Sequence, residues 1–419
     1  MAEPLATPVT SAVLPTCALA FRGYNQTNLG RTPELLETPA YAAIVQRRLA
    51  EASFMCESAV GRRVDLFRHV RSRDEPGPDR YAESVALVFA AELAQLDLLR
   101  EVHGLEPRDA KMAFGYSLGE LTAVAESGLY PLEAVMRIPL SLADDCARLA
   151  EGVTMAIVFS RKAPLSEELL VRLCEEVTAQ GRGAIAISAV LSPNTLLVIG
   201  AGDTVDRLKQ RLETADGPRA SVRTHDGVWP PLHTPLVCEK HIPDRATLLI
   251  RETPRLNNGP RPPVWSLVTG RREYEQTTGR EVLRRWVDSP QRLWDVVEAT
   301  LQADVRTILH VGPEPNVIPA TFQRLADNVV QQTLAWTLNG VGLRAAQQMA
   351  GSTWLAPLLP RRGCLLRAPR VKHVVLEDWL IANAPAARAT SPGYAPSAPL
   401  SPADPPSDTS SGTAAVGSR

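Results

Sequence analysis

The sequence predicts an α/β fold in which a large strand-and-helix body is interrupted by a small α+β insert of ferredoxin-like type. Short apolar runs alternate with helical patterns along most of the chain, and a glycine-framed serine stands between a strand-like run and a helical pattern. Residues 153–224 read strand, helix, strand, strand, helix within a short span. A chain of 419 residues with 45% apolar content can bury a sizeable core. Lys plus Arg (45) nearly cancel Asp plus Glu (46), so no long-range field draws it to nucleic acid or an anionic membrane. There is no apolar run of about 18 residues, and the N-terminus has no basic stretch ahead of an apolar one, so neither membrane insertion nor a signal peptide is expected. Cys17, Cys56, Cys146, Cys174, Cys238 and Cys364 form no CxxC pair and have no His at ligand spacing. Reduced thiols in the cytoplasm are expected, with no metal and no bound cofactor.

Taken in order, residues 1–16 read as a disordered N-terminus and 18–21 as a buried strand ending at Gly23. Over 82–103 apolar residues recur at helical spacing, and Gly104 stands where a C-terminal cap belongs. A short apolar run, 112–114, and a helical pattern, 120–126, complete the first part of the large subdomain, 17–152. In the insert, a strand over 154–159 precedes a helix over 166–178, strands over 183–188 and 195–199, and a helix over 204–214. The large subdomain resumes over 225–330, with a strand-like 264–268, a helical 289–301 and a strand at 307–311 that runs into Gly312-Pro313. Residues 331–384 read as a segment that packs back through Val374, Val375, Leu376 and Trp379. The Pro-, Ser- and Ala-rich 385–419 reads as a disordered tail.

The chemistry lies at Gly115-Tyr116-Ser117-Leu118-Gly119, a G-x-S-x-G elbow with a strand before it and a helix after it. The sharp turn leaves no room for β-carbons beside the serine. It also sets Ser117 at a helix N-terminus, where free N–H groups favour developing negative charge, so the Leu118 N–H is a natural oxyanion donor. Serine needs a base. Among seven histidines, His69, His103 and His373 lie in charged segments and read as surface residues, His310 as a core residue, and His225 and His241 as unframed polar positions. His233 is framed by Trp229-Pro230-Pro231-Leu232 and Thr234-Pro235-Leu236, a rigid loop suited to holding a base.

Together these segments resemble the malonyl-CoA:acyl carrier protein transacylases and the acyltransferase domains of polyketide synthases. Gly115 to Glu120 looks like the family's GHSxGE, Ser192-Pro193-Asn194-Thr195 with Val198-Ile199-Gly200 like its NSPxQxVISG, and His233-Thr234-Pro235-Leu236 like its HSPL. Ser266-Leu267-Val268-Thr269-Gly270 and Val311-Gly312-Pro313 look like its SNVTG and (V/I)GPG. The resemblance covers roughly 18–330, with the motifs in family order. It implies a large α/β-hydrolase-like subdomain carrying an inserted ferredoxin-like α+β subdomain. It also implies ping-pong transfer in fatty acid or polyketide-type synthesis: Ser117 takes an acyl group from acyl-CoA with His233 as base, and the phosphopantetheine thiol of an acyl carrier protein removes it. The family orients its histidine by a main-chain carbonyl, which here falls on Trp286.

Departures from the family are equally specific. The position of its carboxylate-binding Arg is Leu142, with Asp144 and Asp145 nearby and Arg137 and Arg148 off register. Its N-terminal oxyanion segment reads Gly23-Tyr24-Asn25-Gln26, so Tyr24 or Gln26 is expected to serve. Leu142 and Leu232 are expected to line the acyl pocket, which favours acyl groups other than malonyl. Two other readings stay open. GYSLG also suits an α/β-hydrolase or thioesterase, although folded-looking chain continues well past His233. The changes at Tyr24 and Leu142 also suit a silent scaffold, which needs neither Ser117 nor His233.

Overall fold

The computed structural model describes residues 9–161, 163–215, 219–256, 259–274, 278–334 and 361–386. β1 (Cys17–Phe21) leads through helices Thr32–Glu37, Ala42–Val60, Leu66–Ser72 and Tyr81–Asp97 to β2 (Met112–Gly115), and helices Leu118–Glu126 and Leu132–Ala150 follow. The insert comprises β3 (Val153–Phe159), helix Glu167–Thr178, β4 (Ile185–Ser192), β5 (Thr195–Ala201), helix Thr204–Thr214 and β6 (Ser221–Thr224). After helix Ile242–Glu252 come β7 (Val264–Trp265), helices Gly279–Arg285 and Leu293–Gln302, β8 (Thr307–Val311), helix Val317–Leu334, β9 (Lys372–Val375) and helix Leu376–Ala382.

Two sheets result. β7-β2-β1-β8-β9 is wholly parallel, as strands joined through helical crossovers must be, and β4-β5-β3-β6 is antiparallel. β1 is central and buried along its whole length, and its alternation divides the core. Cys17, Leu19 and Phe21 feed the larger helical layer, whereas Ala18 and Ala20 face the layer containing Leu293, Val297 and Phe322. The insert has the strand order of a ferredoxin-like βαββαβ unit once β6 is included, the strand that polar Ser221–Thr224 conceals in the sequence. Its two helices cover one face, where Ala156, Val158, Leu196 and Val198 meet Leu170, Leu173 and Leu208. The opposite face, with Met155, Ile157, Leu197 and Ile199, opens onto a cavity.

The boundaries differ from expectation where side chains find partners that the pattern hides. Residues 9–16 are not loose: Val9 and Leu14 lie in the main core, and Thr16 Oγ1 closes a turn on Val13 O at 2.9 Å. The helix expected over 289–301 starts only at Leu293, because Gln291 pairs with Ala189 of β4. β9 runs parallel to β8, and Leu376, Trp379 and Leu380 are buried behind it. Residues 1–8, and the expected tail from 387 onward, lie outside the described residues.

Parallel strands place their C-terminal ends, and the loops after them, along one edge, where such sheets bind ligands. β1 and β2 end together, with Phe21 opposite Gly115. At that edge a Cβ on Gly115 would lie 2.1 Å from Gly119 C, and one on Gly119 2.3 Å from Arg22 O. Both neighbours are backbone and cannot yield. Gly119→Ala is therefore expected to lower the unfolding free energy by about 1–3 kcal/mol. Gly152→Ala, with nothing within 4 Å of the new carbon, should stay near wild type. Urea titrations with unchanged m-values check this.

Candidate active site

Ser117 joins β2 to helix Leu118–Glu126 at φ 53°, ψ −115°, a conformation that L-residues avoid. Such a residue costs about 1–3 kcal/mol and persists only where its surroundings over-determine it. They do so here. Tyr116 N–H donates to Phe21 O at 3.0 Å, and Gly23 lies so close that its Cβ would stand 2.6 Å from Tyr116 O and 3.2 Å from Ser117 Cβ. Behind the elbow, buried Glu120 accepts from Ser266 Oγ (2.5 Å), Tyr274 OH (2.7 Å) and Leu267 N (3.0 Å), tying the first helical turn to the segment after β7. Burial pushes its carboxyl pKa up to about 7 against the lowering effect of those donors.

His233 lies in the loop between β6 and the 3-10 turn Pro235–Lys240, also at positive φ (64°). Its backbone N–H donates to Val287 O at 2.7 Å, and Thr234 Oγ1 donates to Pro231 O at 2.6 Å. The imidazole Nε2 stands 2.7 Å from Ser117 Oγ, and Nδ1 stands 2.7 Å from Trp286 O. A carbonyl can only accept, so Nδ1 carries the proton and the Nε2 lone pair faces the serine. Burial, partly offset by the Trp286 carbonyl, pushes the His233 pKa down to about 4.

Trp286 does more than the backbone role expected of it. Its indole Nε1–H donates to Ser117 O at 2.9 Å, and its ring meets the imidazole edge to face at 5.4 Å. One residue therefore holds both partners. Gln291 is a second clamp, one that the sequence does not announce: its Oε1 accepts from Ser117 N at 3.0 Å, and its Nε2 lies 3.2 Å from His233 Nδ1. With Nδ1 already a donor to Trp286, this last approach is a packing contact.

The site opens into a cavity of about 300 Å³ lined on one side by the uncovered face of the insert and on another by Tyr24, Tyr81, Trp229 and Leu232. Leu118 is the first helical residue after Ser117. Tyr24 lines the cavity beside Ser117, whereas Gln26 is exposed and donates through Nε2 to Asp226 O at 3.1 Å, away from the lining. Leu142 also departs from expectation. It is buried in the main core and outside the cavity lining, because counting along the chain ignores which side of the helix faces the wall. Cys146, one turn further on, neighbours Tyr81 instead. The three histidines expected at the surface are also partnered: His69 is buried against Glu83 (2.8 Å), His103 bonds Tyr41 OH (2.8 Å), and His373 stacks on His310 (5.2 Å).

No protein-family model matches the chain. Curated relatives are polyketide synthases. The chain is 28% identical over 319 residues to polyketide synthase GfsB of Streptomyces halstedii, covering 74% of this chain and 5% of that protein. It is 28% identical over 210 residues to pikromycin polyketide synthase component PikAII of Streptomyces venezuelae, covering 49% and 5%. The chain thus spans a small fraction of the length of these relatives. Among solved structures it is similar to FabD from Acinetobacter baumannii, with a TM-score of 0.59, 21% identity, and 73% of this chain and 89% of that one covered. An acyl carrier protein S-malonyltransferase from Vibrio cholerae gives 0.59, 23%, 73% and 92%. The malonyl-transacylase in a complex with a type II polyketide synthase acyl carrier protein gives 0.55, 23%, 73% and 91%. The chain is a mixed α/β protein with one parallel and one antiparallel sheet. Its fold is that of the malonyl-CoA:acyl carrier protein transacylases, as the motifs implied.

The depressed His233 pKa sets a pH dependence. His233 stays neutral down to about pH 4, so the reactivity of Ser117 toward an acylating probe is expected to stay level from pH 8 to about 5 and fall only toward 4, without a midpoint at the usual 6.5. Stability has the same sign. His233, His310 and His373 have folded pKa values of about 4, 3 and 4, below the unfolded value, so their contribution is complete above about 6.5 and lost as pH falls through 4. Stopped-flow acylation and urea midpoints across this range check both.

Proposed function

We propose that the chain is an S-acyltransferase that moves an acyl group from coenzyme A to the phosphopantetheine thiol of an acyl carrier protein, in fatty acid or polyketide-type biosynthesis. The 2.7 Å approach of His233 Nε2 to Ser117 Oγ, with Nδ1 fixed on a carbonyl, carries this reading. As Ser117 Oγ attacks the thioester carbonyl, its proton passes to His233 Nε2. The C–S bond breaks, and the proton goes on to the departing thiolate. In the second half the pantetheine thiol gives its proton to Nε2 and attacks the Ser117 ester, and Oγ is reprotonated as it leaves. The oxyanion is met by the N–H of Leu118 at the head of its helix and that of Tyr24 in the loop against the elbow.

The α/β-hydrolase-like character of the large subdomain rests on this strand–nucleophile–helix turn. A silent scaffold would have no use for a strained serine clamped to a neutral histidine. All six cysteines are free thiols, in keeping with a reducing cytoplasm. Coenzyme A and the carrier are substrates in this scheme, which needs no resident cofactor.

The test is intact-mass spectrometry with a set of acyl-CoAs, followed by addition of holo carrier protein. Ser117→Ala is expected to abolish the adduct, and His233→Ala to slow its formation by about 10²–10⁴-fold. Carrier protein should discharge the adduct faster than water does. An adduct that survives Ser117→Ala, or release that is indifferent to carrier protein, tells against acyl transfer.

A further inference from the structure

Given the acyl-transfer reading, the cavity walls define the acyl group. The insert turns toward Ser117 the face that its helices leave uncovered, and that face is apolar: Met155 and Ile157 from β3, Leu197 and Ile199 from β5. Facing chain segments add a run of rings. Tyr24 meets Tyr81 edge to face at 4.8 Å and Trp229 at 5.9 Å, and Trp229 meets His225 at 5.5 Å. Burial raises the Tyr81 phenol well above its ordinary range, so it stays neutral.

Three arginines that could pair a carboxylate are committed elsewhere: Arg22, Arg137 and Arg148. The Arg22 guanidinium is spent on the carbonyls of Gly23, Thr27 and Pro313 and on Asn28 Oδ1. Arg137 lies on the exterior 3.5 Å from Glu252, and Arg148 pairs with Asp145. Among the lining residues the arginine is Arg324, an exposed side chain of helix Val317–Leu334. With Leu191 and Thr321 it also lines a neighbouring cavity of about 320 Å³, which Tyr24, Tyr81 and Trp229 do not line.

We infer that the pocket takes an uncharged, apolar acyl group and discriminates against a free carboxylate. A carboxylate beside Tyr24, Tyr81 and Trp229 would give up water without gaining a cation, whereas an alkyl or aryl terminus replaces water on rings and aliphatic side chains already in place. Leu142, outside the lining, has no part in this selectivity.

The experiment compares kcat/KM for thiol release from acetyl-, hexanoyl-, benzoyl- and malonyl-CoA with the full chain, with the Ser117 ester read by mass. Hexanoyl or benzoyl transfer is expected to exceed malonyl transfer by about tenfold or more. Ester formation with malonyl equal or ahead overturns the inference and leaves acyl transfer standing, whereas no ester from any thioester overturns both. Tyr81→Arg, which places a guanidinium on the wall, is expected to raise the malonyl-to-hexanoyl ratio. Should that variant fail to fold, Trp229→Ala is expected to reduce hexanoyl transfer more than acetyl transfer, and equal losses count against the ring wall. Arg324→Gln should leave the malonyl-to-acetyl ratio within about threefold. A selective loss of malonyl there would show Arg324 reading a carboxylate, and would overturn the proposal.

Discussion

His233 and Ser117 are 116 positions apart in the chain, yet Nε2 and Oγ meet at hydrogen-bond distance, and most of the architecture can be traced to holding that one contact. The serine side is fixed by the parallel sheet: β1 and β2 end in register, and glycines at 23, 115 and 119 let three stretches of backbone lie against one another. The histidine side is fixed from the segment 286–291, which supplies Val287 O to the His233 backbone, Trp286 O to its ring and the Gln291 amide to the neighbouring Ser117 N–H. Two residues at positive φ are thus pinned by hydrogen bonds to the same short stretch. The strain of each is offset by contacts that the other also needs.

The antiparallel sheet adds the second requirement, a dry wall. A four-stranded sheet with helices on one face normally turns the other to solvent and shows apolar–polar alternation. Here both faces of β3 and β5 are apolar, since Ala156, Val158, Leu196 and Val198 serve the helices while Met155, Ile157, Leu197 and Ile199 serve the cavity. An apolar lining of this kind excludes water and so strengthens the few polar interactions at the dyad. It also accounts for the low His233 pKa, because a protonated imidazole would be poorly solvated there.

Much of this is legible in the sequence where physics leaves a periodic or spaced trace. The helix Thr204–Thr214 and β8 match their sequence patterns end to end, and GYSLG declares its turn through glycines that the backbone cannot replace. His233 is marked by its prolines, whereas Trp286 is reached only through the family resemblance. Illegible features have single-residue causes. Gln291 is one polar residue in a short extended stretch, and nothing in its neighbourhood signals that its amide will reach Ser117. β6 is mostly exposed, and Val222 is its one apolar residue, so it has no apolar run. Leu142 is placed in the pocket by counting, but a helix turns by about 100° per residue, and a small difference in its rotation moves a side chain from cavity to core. The histidines at 69, 103 and 373 sit among charges in the sequence and beside partners in space.

Gln291 joins more than a serine to a histidine. Its backbone N–H donates to Ser188 O and its carbonyl accepts from Val190 N, both at 2.8 Å, at the place where β4 carries a bulge. The residue is therefore an extra rung on the edge of the small sheet while its side chain touches the dyad of the large one. Swinging the small sheet outward as a rigid flap would either break those two backbone bonds or drag the amide away from the Ser117 N–H. The position of the small sheet and the orientation of the Ser117 backbone are thus coupled through one residue, whose peptide bonds β4 while its side chain bonds the elbow.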